Sequence, residues 1–408
     1  MVRIAHFTDA SVVGVNGIAS SIGLLTRTLR GRGHDCVVVS AGPLWGGAVS
    51  GDMIWVPSVP TGMGDFRFVP FPLAGMRDRV TAWRPDVVHV HTPGPLGAAG
   101  LCVARELGIP AVYTYHTDMH GYAGQYWMPV GVIRAGTAVY GRHLGREASG
   151  RPAGRYEVVE EANARVFASA EVIIAPTEAA LRRCQMAPYA DKIQVIATPA
   201  GLPPVADRGG PAGAAFRACY GIPAGSPVVL FVGRLTAEKG VGLLVEAFAL
   251  LLARLPAAKL VLVGPQSRSL RLGRLLERAR LIEHTVVTGA LPGAGVQEAY
   301  RAGTVFAFPS ATDTQGIVLH EAALAGLPIV MIDPVLHAGH PLAGAAHLAG
   351  ADPGGLAAGL YSLLLSPQEA RQRGEHGRLL ASELTADRFA DETLRAYRDA
   401  VGAAAARR

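Results

Sequence analysis

Asp313 and Glu321 stand eight residues apart in the stretch SATDTQGIVLHEAALAGLP, residues 310 to 328. Two acids at such a spacing either split one bond together or grip two ends of one molecule. The preceding VFAFPS reads as a strand, ATDTQG as a turn, and IVLHEAALAG as a helix stopped by Gly326 with Pro328 soon after. Asp313 then precedes the helix, the amides of Gln315, Gly316 and Ile317 occupy its first turn, and Glu321 lies more than a turn further in. Eight residues of helix rise about 12 Å. Carboxylates that cleave a glycosidic bond sit roughly 5 to 9.5 Å apart, so this spacing suits two ends of a ligand better than one bond. Capping of the helix by Asp313, with Glu321 simply solvated, is the structural alternative.

Three other stretches carry candidate chemistry. VGRLTAEKG sets Arg234 and Lys239 on a strand-to-helix loop, where two cations suit a diphosphate whose charge grows as it leaves. Surface cations at a helix start are the alternative, and the helix dipole makes them slightly unfavourable there. YHTDMHGYAGQY places His116 and Asp118 at a strand end, with Tyr126 following; His116 is able to bond a sugar hydroxyl or a phosphate, or to act as a base. TDASVVGVNGIASSIGLLTRTL puts Gly14 and Gly17 before a helix, whose N-terminal amides attract an anion. It is neither GxGxxG nor a GxxxxGK[ST] loop, so neither a dinucleotide nor ATP gains motif support. His89 and His91 in VVHVHTP share a strand face, but no third ligand at metal spacing accompanies them, and they read as structural or cleft-lining.

These residues need a scaffold that brings strand ends together. Short apolar runs such as RIAHFT, DCVVVSA, VVHVHTP, AVYTYHT and EVIIAPT, then PVVLFVGR, KLVLVGP, TVVTGAL, VFAFPS and PIVMID, alternate with helical patterns. Continuous apolar strands with helices between them mean parallel sheets covered on both faces. Two series in 408 residues imply two doubly wound α/β domains. GLPPVADRGGPAGAA, rich in Pro, Gly and Ala, reads as the hinge. The expected division is 1–204, 205–385, and a C-terminal helix 386–408 packing back across the domains. Charged residues are only 17%, which excludes disorder as the dominant state. No apolar run is long enough to span a bilayer and no leader is visible, so a cytoplasmic location is expected. Cys36, Cys102, Cys184 and Cys219 are scattered and signal neither disulfides nor a metal knuckle. The net charge of +6 comes from dispersed arginines, so no nucleic-acid partner is expected, and an anionic small ligand or a pull towards an anionic membrane explains it as well. Lysine occurs only at positions 192, 239 and 259, which makes the one in VGRLTAEKG more informative.

Taken in order, VNGIASSIGLLTRTLRGRGHDCVVV, RPDVVHVHTPGPLGAAGLCVARELGIPAVYTYHT, VGRLTAEKGVGLLVEAF, LVLVGP, VVTGALP and TDTQGIVLHEAALAGLPIV resemble the retaining glycosyltransferases of family 4. TYHT and TDTQG are similar to the branch with diacylglycerol glucosyltransferases and phosphatidylinositol mannosyltransferases. The resemblance covers nearly the whole chain and implies the GT-B fold, two Rossmann-like domains facing a cleft. It also implies a division of labour. Arg234 and Lys239 would bind the donor diphosphate, with Gly17 presenting its amide from the other domain. His116 would lie beside the donor sugar. Asp313 and Glu321 would form the family's E-x7-E motif, the first contacting sugar hydroxyls and the second the ribose, while the amides of Gln315, Gly316 and Ile317 complete the sugar site. Asp313 departs from the usual Glu by one methylene, which would shift or weaken the sugar contact.

The expectation is a retaining, metal-independent transferase that needs no cofactor. No D-x-D occurs in the sequence, and fixed cations would replace a metal. The co-substrate would be a nucleotide-diphosphate sugar, UDP-linked in preference to GDP-linked. The acceptor would be a hydroxyl of a lipid at the membrane surface or of a small natural product, with Asp118 and Tyr126 on the acceptor side and residues 119–155 mixing aromatics and arginines nearby. A sugar-nucleotide epimerase on the same fold and a non-catalytic sugar-nucleotide-binding partner protein are the rival readings.

Overall fold

The computed structural model describes residues 1–12, 16–42, 51–60, 67–69, 74–119, 154–183, 186–202 and 210–407. Tyr126, Gly14 and nearly all of 119–155 lie outside the described residues. The chain divides into two units, Met1–Gly201 with Thr385–Arg408, and Leu202–Leu384.

In the first unit β1 (Arg3–Thr8) leads through α1 (Gly17–Gly31) to β2 (Asp35–Gly42) and β3 (Met53–Pro57). A small antiparallel ribbon, β4 (Val59–Pro60) with β5 (Arg67–Phe68), precedes β6 (Val87–Val90). Helix α2 (Pro95–Leu107) leads to β7 (Ala111–Thr114), and β8 (Val172–Ala175) and β9 (Ile193–Val195) follow. The sheet runs β3-β2-β1-β6-β7-β8-β9, and every neighbour is parallel. Because side chains alternate along a strand, Phe7, Val88, Val90 and Tyr113 build the core on one face, while Ile4, Val87 and Val112 build it on the other. The second face is closed by Leu25 and Leu29 of α1 together with Phe389 and Tyr397 of the C-terminal helix Ala386–Ala406. That helix is therefore part of the first unit. Arg32, just past α1, holds it further, with Nη1 donating to Asp391 and Nη2 to Asp387 at 2.6 Å each.

The second unit repeats the plan. Its elements are β10 (Val228–Val232), α3 (Val241–Leu252), β11 (Lys259–Val263), β12 (Thr285–Gly289), α4 (Gly293–Ala302), β13 (Val305–Phe308), α5 (Ile317–Leu324), β14 (Ile329–Met331) and β15 (His347–Leu348). The order is β12-β11-β10-β13-β14-β15, again parallel throughout. Phe231, Leu244, Phe248, Leu262 and Leu360 fill one side of it.

In both sheets the first strand lies inside, and the strand order reverses beside it, between β1 and β6 and between β10 and β13. Loops leaving two such strands part to opposite faces and open a crevice at their carboxyl ends, where ligands of open α/β sheets bind.

Candidate active site

In the second unit the two loops at the reversal carry most of the candidate residues. After β10 the chain turns tightly: the Thr236 amide donates to the Arg234 carbonyl at 3.0 Å and the Gly240 amide to that of Ala237 at 3.0 Å. Leu235 is fully buried and anchors the turn, so Arg234 and Lys239 are placed by packing as well as by sequence. After β13 the segment 309–316 carries Asp313. The two loops meet in an ion pair, Lys239 Nζ to Asp313 Oδ1 at 2.6 Å.

The cations do not stand alone. Glu238, whose side chain is 2% exposed, lies 3.4 Å from Lys239 Nζ through Oε1 and 3.3 Å from Arg234 Nη2 through Oε2. Among the described residues, two positive and two negative groups thus meet in one pre-organised cluster. Burial alone would raise the Asp313 carboxyl, but the Lys239 charge and hydrogen bond, helped by Ser310 and Arg234, hold it below its ordinary value. Asp313 does not cap the helix. The N-cap of α5 is Gly316, with φ 72, and no side chain caps it.

Gly316 is needed there twice over: its backbone is left-handed, and a Cβ would stand 2.8 Å from the Phe308 ring. Gln315 is buried, and the amide of Ile317 opens the helix. Glu321, one turn on, is half-buried rather than solvated, and its Oε2 accepts from the Tyr300 hydroxyl of α4 at 2.7 Å. The two acids therefore have different partners and opposite electrostatics. Burial pushes the Glu321 carboxyl up to about 7, against a smaller lowering by Tyr300. A carboxyl raised on folding contributes stability that is complete below the unfolded value, 4.5, and is lost as pH rises through about 7. The Glu321→Gln variant keeps an acceptor for Tyr300 and removes the ionisation. Its Tm is expected to exceed that of the parent by a margin that opens between about pH 4.5 and about 7 and is constant above; a pH-independent difference would contradict the assignment.

In the first unit Gly17 opens α1 and is exposed. Asn16 caps that helix, its Oδ1 accepting from the Ala19 amide at 2.8 Å. His116 and Asp118 follow β7, His116 half-buried and Asp118 buried. His116 belongs to a column of imidazoles. Its Nε2 is 3.1 Å from His91 Nδ1, and His91 Nε2 is 3.0 Å from His6 Nδ1. His89 lies against them with Nδ1 2.8 Å from the Tyr397 hydroxyl and Nε2 2.7 Å from that of Thr114. Burial pushes His116 down to about 4 and His6 to about 3.

The expectation that His89 and His91 lack a third neighbour is corrected here: β1 pairs with β6 so that His6 stands opposite His89, and His6, His89 and His91 offer nitrogens within 4.8 Å of one another. The short ring-to-ring and ring-to-hydroxyl contacts already occupy both nitrogens of His89 and of His91, so the cluster is held as a hydrogen-bonded column. Replacing Tyr397 with Phe removes one partner of buried His89, and a loss of about 1–3 kcal/mol in unfolding free energy is expected from denaturant titration; an unchanged midpoint would show that the bond contributes nothing.

A family model described as Glycosyltransferase Family 4 matches residues 15–200, and one described as Glycosyl transferases group 1 matches 214–380. A GDP-mannose-dependent alpha-mannosyltransferase of Mycobacterium tuberculosis is 30% identical over 342 residues, 81% of this chain and 79% of that protein. The chain belongs to glycosyltransferase family 4. This glycosyltransferase is also similar to the alpha-monoglucosyldiacylglycerol synthase of Acholeplasma laidlawii, 26% identical over 81% of the chain and 80% of that protein. Among solved structures, the sucrose-phosphate synthase of Thermosynechococcus elongatus aligns over 98% of both chains with a TM-score of 0.70 at 18% identity. The fold is GT-B, with its two Rossmann-like domains. No helix among the described residues of the transferase is long and apolar enough to cross a membrane.

Four residues of the transferase's clusters escape a reading by motif. Glu238 had a local signal, its place four residues after Arg234 on the same turn. Tyr300 and His6 had none, because their partners are brought by tertiary packing. Asp9, directly after β1, accepts from the Thr92 hydroxyl at 2.7 Å and from the Leu96 and Gly97 amides at 2.8 and 3.2 Å, so an internal carboxylate already occupies the N-terminus of α2.

Proposed function

We propose that the chain transfers a sugar from a nucleoside-diphosphate sugar to an acceptor hydroxyl with retention and without a metal. The observation that carries this is the Arg234–Glu238–Lys239–Asp313 cluster at the reversal between β10 and β13. Arg234 and Lys239 receive the diphosphate and stabilise the charge that develops as it leaves. Asp313, held ionised beside Lys239, accepts from sugar hydroxyls; Glu321 takes the ribose; the amides of Gln315, Gly316 and Ile317 complete the sugar site. The bond from the anomeric carbon to the phosphate oxygen breaks with its electron pair on phosphate. The acceptor oxygen then bonds to the same face of the oxocarbenium-like sugar and gives its proton to the departing phosphate oxygen.

The first relative named above is GDP-mannose-dependent by name, which sets guanosine beside the uridine donor favoured by the sequence, so both belong in the assay. The name of the diacylglycerol relative supports a lipid hydroxyl as acceptor, which would place the enzyme at an anionic membrane surface, in keeping with the net charge of +6. Incubation with UDP-glucose or GDP-mannose, chelator, and lipid, polyol or amino-sugar acceptors should release nucleoside diphosphate and give a product of unchanged anomeric configuration. Inversion would overturn the mechanism. Conversion of donor without acceptor would indicate an epimerase, and binding without turnover a non-catalytic protein.

A further inference from the structure

Tyr300 of α4 is fully buried, its ring 5.9 Å from that of Phe306 on β13. A buried phenol needs a partner for its hydroxyl. This one has an acid on another helix, Glu321 Oε2 at 2.7 Å, with the Val318 carbonyl further off at 3.5 Å. The fold does not require a carboxylate there. A glutamine would accept the same bond, whereas burial pushes the Glu321 carboxyl up to about 7, so the fold carries an ionisable group at a cost it could avoid. Groups of that kind gather where a ligand uses them. With Oε2 taken by the phenol, and no other hydrogen bond to the carboxyl among the described residues, Oε1 is the oxygen available to a ligand. A glutamate without a partner turns about its side-chain torsions and loses that freedom when a ligand arrests it; the anchored phenol has arrested Glu321 beforehand. Tyr300 also opposes the upward push of burial, so its loss favours the neutral carboxyl, the poorer acceptor.

We propose that Tyr300 is the positioning residue of the ribose subsite: it anchors one oxygen of Glu321, so that the other meets the ribose hydroxyls of the nucleotide as a fixed acceptor. The phenol acts only through the carboxylate. The proposal rests on the donor reading above, and within it assigns recognition of the ribose to a pair of residues on two helices rather than to Glu321 alone.

The test is calorimetric titration of the full chain, in a buffer above the pH at which Glu321 ionises, with UDP and GDP and with the 2′,3′-dideoxy form of each. For the nucleotide that binds, wild type is expected to hold the dideoxy form about ten- to a hundredfold more weakly, the worth of a hydrogen bond to a charged group. Tyr300→Phe removes one oxygen and leaves the ring in place. It should bind the dideoxy form as wild type does, which shows the site intact, and prefer the ribose form by less than about threefold. Glu321→Gln should lose most of the preference as well, and adding Tyr300→Phe to it should change nothing further, because the two residues act as one. Glu321→Asp spares the phenol: its carboxylate keeps the charge but falls short of Tyr300, so the preference should again be lost, and an unchanged preference overturns the anchoring. A Tyr300→Phe protein that keeps the wild-type preference, beside a Glu321→Gln protein that has lost it, overturns the proposal and leaves the donor reading standing. Weaker binding of both forms by Tyr300→Phe with the preference kept makes Tyr300 structural only and overturns the proposal too. Equal binding of the two forms by wild type, or none, overturns the ribose assignment and the proposal with it.

Discussion

Replacing Lys239 with methionine should lower turnover by about a hundred- to a thousand-fold, the usual cost of removing one group that stabilises charge developing in a transition state. The structure adds a reason for an effect at the upper end. Lys239 is shared by Asp313 at 2.6 Å and Glu238 at 3.4 Å, so its loss removes the cation that both acids share beside the proposed diphosphate site. The Asp313 carboxyl, which Lys239 helps to hold below its ordinary value, then rises. Folding should suffer less than catalysis. The pair is partly exposed, 19% and 16% by side chain, and a cost of about 2 kcal/mol lies between the exposed and the buried limits. The double variant Lys239→Met/Asp313→Asn should recover most of that stability and none of the turnover. Turnover of Lys239→Met within a factor of three of wild type would remove Lys239 from the transition state.

The second large effect is expected where no chemistry takes place. Gly240 caps α3 with φ 70, and a Cβ on it would stand 2.0 Å from the Pro309 carbonyl oxygen at the end of β13. No flexible side chain absorbs that overlap, because both partners are backbone. Gly240→Ala therefore forces apart the two loops that bring Lys239 to Asp313. A cost of about 3 kcal/mol or more is expected from the left-handed backbone and the overlap together, with loss of transfer even in molecules that stay folded. Thermal unfolding and turnover measured on the same preparation test it; wild-type values for both would show that the loops do not need this approach.

Much of the scaffold was legible in the sequence because parallel sheets write themselves in short apolar runs. PVVLFVGR and VFAFPS each run two residues past the ends of β10 at Val232 and β13 at Phe308, and the candidate residues lie just beyond those strand ends. What the runs do not state is who stands next to whom. Lys239 and Asp313 are 74 positions apart and His6 and His91 are 85 apart; only the strand order and register join them. The same limit explains the His89–His91 reading, since the third imidazole comes from a different strand. Glu321 was open to reading as a solvated helix residue because its partner, Tyr300, sits on another helix, 21 positions away. Glu238 is different. Its spacing from Arg234 was visible, and only its burial shows that it balances both cations.

At the β10–β13 reversal Lys239 is already paired with Asp313 before any ligand arrives. If Lys239 receives the diphosphate as proposed, Asp313 competes with phosphate for it, so Asp313→Asn should bind a free nucleoside diphosphate more tightly than wild type and still transfer sugar poorly. Calorimetric titration of wild type, Asp313→Asn and Lys239→Met with UDP and with GDP measures this directly. The expected order of affinity for the nucleotide that binds is Asp313→Asn above wild type above Lys239→Met, with at least about a tenfold span, the usual worth of a single charge-assisted hydrogen bond. Equal affinities in all three proteins would contradict the assignment of the diphosphate to this cluster.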